Sequence, residues 1–443
     1  MNSIRRRAAL RRAILPAATL TAVAVLLGGC SAPSAERAGP TAPGVVSVGG
    51  PLIGTDATLL RKSWAGWEKA NHIRITYVGS SNFEEQVGAE AQQGNAPDLA
   101  IFSQPSFIQD LATLGYLQPL PASVDTNVKN NFPAAWAQYT TSGGANYAAP
   151  LLASVNGWVF YSPHEFSTLG LAIPSTWSQL LAITKTIQEK TGEVPWCDGF
   201  SDGAESGSAG VDWIDDLVLR FAGPSVYDQW IDHQIPFTDP RIEAAFDELG
   251  LILQNPSYVN GGIGGVSSID QTTTAQVATA LESGKCALTH QPSSFENDLT
   301  NAKGDPANVS ALGDFWAFPL PPPTLPQIPV TGGGEFVAAF SHSADTVKVQ
   351  KYLSSIQWAT DRVRLGGAIS PDSAVPASAG TSPLLQDATQ LLHNPAATFR
   401  FDASDLMPSV VGEGTFLTGM VDWANGKPVK KILATINSSW PGN

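Results

Sequence analysis

The sequence predicts an α/β protein built as two lobes, on three observations. Strand-like stretches alternate with helical ones at lengths that imply parallel pairing, with crossover helices covering the sheet. The alternation restarts midway, after a change in texture. At 443 residues the chain is also too long for one ordinary core.

The elements follow in order. Residues 45–48 are strand-like, and from Asp56 a helical pattern sets Leu59, Leu60, Trp64 and Trp67 on one side, making both tryptophans core candidates. Ile73, Ile75 and Tyr77 alternate as a strand does. Ser81 and Glu84 have capping-box spacing and open a second helix that Gly94 can close; residues 98–102 form a third strand. The restart is a strand over 156–161, then a capping box at Thr176 and Gln179 whose helix reaches Lys190 with Gly192 behind it. Residues 194–197 read as a short strand. Helices are expected over 212–220, over 240–254 with Asp239 as cap and Pro240 in first position, and over 270–283. A strand returns at 286–289. Residues 315–318 lead into Pro319, Pro321, Pro322 and Pro323, after which Thr331-Gly332-Gly333-Gly334 precedes a strand over 335–340. The remainder is mostly helical, over 344–358, 383–393 and 412–425, and there is no internal repeat.

The chain begins with an export signal. Arg5, Arg6, Arg7, Arg11 and Arg12 precede an apolar stretch over 14–27, short of the roughly 20 residues that span a bilayer. Leu27-Gly28-Gly29-Cys30 then resembles the bacterial lipobox, in which the cysteine receives lipid and becomes the first mature residue. Residues 1–29 are expected to be a lipoprotein signal peptide, Cys30 the lipidation site, and residues 30–44, rich in Ala, Pro, Ser and Gly, a flexible tether. No later apolar stretch approaches spanning length, so the lipid is the expected anchor of an extracytoplasmic chain.

Removing the five arginines ahead of Cys30 from the full-chain charge of −14 leaves −19. So negative a surface repels phosphates and nucleic acid and suits neutral or cationic ligands. Two cysteines remain, Cys197 and Cys286; in an oxidising compartment an even pair reads as a disulfide sooner than a metal site, with two buried free thiols as the alternative. Closing a loop of that size contributes roughly 4 kcal/mol on the chain-entropy model.

Signatures of catalysis and of metal binding are missing. There is no phosphate-binding loop ending in Lys-Ser or Lys-Thr, no His-Glu-x-x-His, no Gly-x-Ser-x-Gly and no Cys-x-x-Cys. The histidines, at positions 72, 164, 233, 290, 342 and 393, include no local pair at metal-ligand spacing. Asp198, Asp202 and Glu205 miss the alternate-residue pattern of a calcium loop and read as a solvated turn. No cofactor and no metal are expected.

Twelve tryptophans are the positive signal. A neutral sugar presents hydroxyls that need directional hydrogen bonds and flat C–H patches that pack on aromatic faces. Tryptophan beside a polar residue supplies both, as at Asn156-Gly157-Trp158, Asp212-Trp213, Asp314-Phe315-Trp316 and Asp422-Trp423, although most tryptophans are simply core. Trp158 and Trp213 are the stronger candidates. Ser80-Ser81-Asn82 and Gln104-Pro105 follow strands, where open α/β sheets bind ligands, with helix capping as the alternative role for Ser81. Gly332-Gly333-Gly334 lets backbone approach a ligand closely or simply turns the chain.

With these motifs the chain resembles the extracellular solute-binding proteins of bacterial ABC importers for sugars, and most of all their alpha-glucoside-binding branch. The stretches that carry the resemblance are Thr176-Trp177-Ser178-Gln179-Leu180-Leu181, Thr191-Gly192-Glu193-Val194-Pro195-Trp196-Cys197, Asp212-Trp213-Ile214-Asp215-Asp216-Leu217-Val218-Leu219-Arg220 and Gly284-Lys285-Cys286-Ala287-Leu288. Ala96-Pro97-Asp98-Leu99-Ala100 and the triple glycine are similar but commoner. The resemblance implies a type II periplasmic-binding-protein-like fold, with two α/β lobes joined by crossing segments and ligand in the cleft between them. It also implies that Cys197 and Cys286 are paired. Where this branch often has Gly-Trp ahead of Asp-Trp, this chain has Ser208-Ala209-Gly210, which implies a smaller or differently shaped ligand.

The expectation is therefore a non-enzymatic, monomeric lipoprotein that captures a neutral mono- or oligosaccharide by lobe closure and delivers it to a membrane permease with its ATPase. Lobe 1 is expected over 45–153 plus 315–369, and lobe 2 over 154–314 plus 370–443. Ser81, Asn82, Gln104, Gly333 and Gly334 would face Trp158, Asp212, Trp213 and Gln291 across the cleft, the polar groups meeting hydroxyls and the tryptophans stacking. The alternatives are a secreted glycoside hydrolase and a binder of a non-sugar solute, such as a polyol or glycerol phosphodiester.

Overall fold

The computed structural model describes residues 44–442, so the signal segment, Cys30 and nearly all of the tether lie outside the described residues. The strands are β1 (Val45–Gly50), β2 (Arg74–Gly79), β3 (Leu99–Phe102), β4 (Thr141–Ser142), β5 (Ala145–Asn146), β6 (Ala148–Ala153), β7 (Trp158–Tyr161), β8 (Leu288–Gln291), β9 (Trp316–Pro319), β10 (Pro329–Gly332), β11 (Gly334–Ala339) and β12 (Thr398–Phe401).

The first lobe is a five-stranded sheet in the order β2-β1-β3-β11-β6. β1 runs parallel to β2 and β3, while β11 is antiparallel to β3 and β6. Every residue of β3 is buried, because helices cover both faces of the sheet. Leu99 and Ile101 join a core with Leu60, Trp64 and Trp358 on one face; Ala100 and Phe102 join Phe83, Val87 and Ile108 on the other, as a two-residue period requires. Trp64 is core as expected. Trp67 is half-buried and stacks on Tyr352, ring centroids 4.6 Å apart.

The second lobe holds the antiparallel sheet β8-β7-β9, and its core is dominated by helices, among them Trp177–Thr191, Ser208–Phe221, Pro240–Leu253 and Leu417–Ala424. Cys197 and Cys286 are disulfide-bonded there. β7 also pairs with β9, from Trp158↔Pro319 to Tyr161↔Trp316. Val375 and Ala379 pack with Trp64 and Trp358 in the first lobe's core.

The two halves are joined where the chain crosses between them. The amides of Ser154 and Asn156 donate to the carbonyls of Gly333 and Thr331 at 3.0 and 2.9 Å, and that of Ala153 donates to Ile369 at 3.0 Å. The glycine run is needed here for backbone approach: a Cβ on Gly332 would stand 2.2 Å from the Ser154 carbonyl oxygen, and one on Gly334 would stand 2.3 Å from that of Leu152. Beside the crossing, the parallel pair β10–β12 carries Phe399 and Phe401 against Trp136 of the first lobe, both at 5.6 Å between ring centroids.

Local departures from expectation have local causes. The expected helix over 344–358 is two, Ala344–Leu353 and Ile356–Val363, because the Ser355 side chain accepts the Trp358 N–H and starts a new helix. Over 270–283 a 3₁₀ turn, Val266–Gln271, precedes the helix Thr274–Glu282, whose capping box is Thr273 with Gln276. Residues 410–416 form a π-helical turn ahead of Leu417–Ala424. At 194–197 only isolated bridges of Trp196 remain. The strand expected from Asn156 begins at Trp158, since Gly157 sits at φ 73° with its α-carbon against Asp216.

Candidate functional site

Two loops at the C-terminal ends of parallel strands form one wall of a cleft. Ser81 and Asn82 follow β2, and Ser103 and Gln104 follow β3, the position at which open α/β sheets present their loops to ligands. Glu84, in the first turn of the helix Phe83–Gln92, ties them together: its Oε1 accepts the amides of Ser103 at 2.9 Å and Gln104 at 3.3 Å. The capping box expected of Ser81 and Glu84 is thus replaced. The N-cap is Asn82, without a side-chain cap, and the acid is drawn to the neighbouring loop instead.

The facing wall comes from the second lobe and is acidic. Glu205, Ser208, Asp212, Asp405, Ser409 and Glu413 join the first wall around a cavity of about 650 Å³. Ser409 Oγ donates across it to Gln104 Oε1 at 3.5 Å. A second cavity of about 320 Å³ shares Ser103, Asp402 and Asp405 with the first and reaches Gly333, Gly334 and Arg362. A recess of about 180 Å³ shares Ser208 and Asp212 and reaches Gln291 and His290. Among the described residues lining the 650 Å³ cavity none is Lys, Arg or His.

A hydrogen-bond network under the cleft fixes this wall. Asn156 Nδ2 donates to Asp212 Oδ1 at 3.3 Å and to Asp402 Oδ2 at 3.1 Å. One helical turn further, Asp216 is fully buried and bonded by Arg220, Thr331 and His290. Burial alone would raise its pKa, yet the charges and hydrogen bonds of Arg220 and His290 hold it below the ordinary carboxylate range. The cleft carboxyls lack such partners. Burial pushes Glu84 and Asp402 up to about 7 and Glu413 up to about 8, the last also through its neighbour Glu205. Burial and then Asp402 raise Asp212; burial and then Glu413 raise Asp405. Near neutral pH these groups can accept or donate, which suits a ligand rich in hydroxyls.

Seven of the nine expected ligand residues line this connected cleft: Ser81, Asn82, Gln104, Asp212, Gly333, Gly334 and Gln291. The two tryptophans do not. Trp213 is fully buried, its Nε1 donating to Asp198 Oδ2 at 2.7 Å and its ring stacked on His290 at 3.9 Å. Consecutive helical residues point about 100° apart, so a helix that aims Asp212 at the cleft turns Trp213 into the core. Trp158, 2% exposed, borders a separate surface pocket with Trp316 and Leu391. Asp198 also departs from the expected solvated turn: it is buried and accepts the Gly199 amide at 2.8 Å. Asp402, Asp405, Ser409 and Glu413 were not expected in the site; for the three acids the only sequence signal is the overall acidity, and for Ser409 there is none. Among the described residues no cluster of three or more His, Cys, Asp or Glu is placed to hold a metal ion, and no helix is long and apolar enough to cross a membrane.

The family model for the bacterial extracellular solute-binding protein matches residues 51–360. The chain belongs to this family. An osmoprotective compounds-binding protein of Synechocystis sp. is 33% identical over 399 residues, covering 89% of this chain and 92% of that one. An alpha-glucosides-binding periplasmic protein of Rhizobium meliloti is 32% identical over 411 residues, covering 89% and 86%. Among solved structures a chitin oligosaccharide binding protein superposes with a TM-score of 0.73 at 17% identity, covering 89% of this chain and 97% of that one, a likeness of fold. In this solute-binding family member the cleft between two α/β lobes is therefore the place to look for a solute.

Proposed function

We propose that the protein is the lipid-anchored receptor of an ABC importer for a neutral mono- or oligosaccharide, an alpha-glucoside foremost, and that it acts without chemistry on its ligand. The observation that carries this reading is a cavity walled from both lobes by hydrogen-bonding side chains, Ser81, Asn82 and Gln104 against Asp212 and Ser409. A sugar held there touches both walls at once, so the shut arrangement gains contacts that a parted one lacks, and binding shifts the population toward it. The permease and its ATPase then recognise the shut form of a monomer tethered through Cys30. A glycerol phosphodiester suits the cleft poorly, because its carboxylates repel a phosphate.

A thermal-shift screen of mono- and disaccharides, followed by calorimetry of the hits, tests the reading. At a sugar concentration one hundred times Kd the fold gains about 2.7 kcal/mol. Recovery of the bound sugar intact by chromatography supports a receptor. No stabilisation by any sugar, or release of cleaved product, would sink it.

A further inference from the structure

We infer that the cleft selects, among saccharide-like ligands, those carrying a protonated amine, whose ammonium lies among Glu84, Asp402, Asp405 and Glu413. This rests on the reading of the cleft as a saccharide site and names the class of ligand within it. Acidic side chains come to the 650 Å³ cavity from both walls, and no cationic side chain among the described residues lines it. Carboxyl groups alone would not make a site. Asp402, however, is only 8% exposed and lines both the 650 and the 320 Å³ cavities; Asn156 donates to its Oδ2, while its Oδ1 has no hydrogen-bond partner. Glu84 repeats the pattern, with Oε1 taken by two amides and a buried Oε2 that has none. Glu413 lines the same cavity as Glu84, Glu205 and Asp405, and after burial the charge of Glu205 raises its pKa.

Arg362 does not neutralise this cluster. Arg362 lines the smaller cavity, where its charge acts on Asp56 and Glu335. A sugar hydroxyl brings a single donor and no charge, whereas an ammonium brings three donors and a positive charge to acceptors that lack both. Charge-assisted bonds of that kind are roughly twice as strong as neutral ones. The strongly acidic chain fits the same chemistry, since its field concentrates cations near the surface.

Calorimetric titration of the native protein at pH 7.5 and low salt tests the inference. The ligands are trehalose, maltose and methyl α-D-glucopyranoside, each beside its monoamino derivatives with one hydroxyl at a time replaced by an amine. At least one amine binds tenfold or more tightly than its hydroxyl parent. Asp402→Asn and Glu413→Gln each bring that ratio below about threefold; the ratio compares two ligands on one variant, and Glu413→Gln lies away from the Asn156 network if Asp402→Asn fails to fold. A parent sugar that binds while every amine binds equally or more weakly overturns the inference and leaves the saccharide reading standing. A ratio unchanged in the folded variants overturns the placement of the ammonium. If neither parents nor amines bind, the saccharide reading falls and this inference with it.

Discussion

Replacing Trp213 by alanine separates a core tryptophan from a sugar platform. The side chain is fully buried, stacks on His290 and donates to Asp198. Truncating a buried aromatic residue to alanine costs about 3–5 kcal/mol through lost burial and the cavity left behind. Asp198 would also lose one of its two donors; a buried acceptor left short of a partner costs a further 1–3 kcal/mol or so. Trp213→Phe keeps a benzene ring in the core but loses the pyrrole half with its N–H, so its loss should exceed that second figure by a smaller cavity cost and stay below that of Trp213→Ala. Urea unfolding of both variants, with sugar titration of whatever remains folded, measures the two parts. A Trp213→Ala protein that unfolds within 1 kcal/mol or so of the parent yet no longer binds sugar would refute the core assignment and restore the stacking role.

Protonation of the buried carboxyls and the crossing between the lobes give two further predictions. The carboxyls of Glu84, Asp198, Glu335 and Asp402 are raised to about 7 and that of Glu413 to about 8, so the folded state holds protons that the unfolded state releases from about pH 4 upward. Their stabilisation is complete below the unfolded values and disappears as pH rises through 7–8, so Tm should climb on acidification from pH 8 toward pH 5. Asp216, depressed, works the other way and loses its contribution only in stronger acid. Scanning calorimetry across that range decides, and a Tm that falls steadily toward pH 5 contradicts the assignment. Gly332→Ala should destabilise by about 1–3 kcal/mol, because its Cβ would stand 2.2 Å from the Ser154 oxygen and force the crossing segments apart. An unchanged urea midpoint would show that the crossing yields freely.

The sequence carried the architecture further than the site. Alternation at Ile73, Ile75 and Tyr77 and the helix starts at Thr176 and Asp239 are local signals, and they stand where expected because short-range chemistry decides them. The loops after β2 and β3 were legible too, since a strand followed by a helix marks where a parallel sheet presents its ligand edge. What escaped depends on distance in the chain. Glu84 has capping spacing to Ser81, yet the amides of Ser103 and Gln104, brought near by sheet pairing, offered it better partners. Trp213 was misplaced for a subtler reason: a polar neighbour in sequence is not a neighbour in space on a helix. Asp402, Asp405 and Glu413 reach the cleft through the fold of the last segment, which has no local motif.

The position of β11 has a consequence for how the protein comes into being. This strand lies between β3 and β6, so the larger sheet has a gap until residues 334–339 have been made. Neither lobe is a continuous stretch of chain, and the opening third cannot bury its own centre while the rest is still being synthesised. Long-range pairing of this kind is slow, because the closure entropy is lost before the contacts that reward it can form. A chain that cannot settle early stays threadable, which is the property a polypeptide needs if it must pass a membrane pore before taking its final shape.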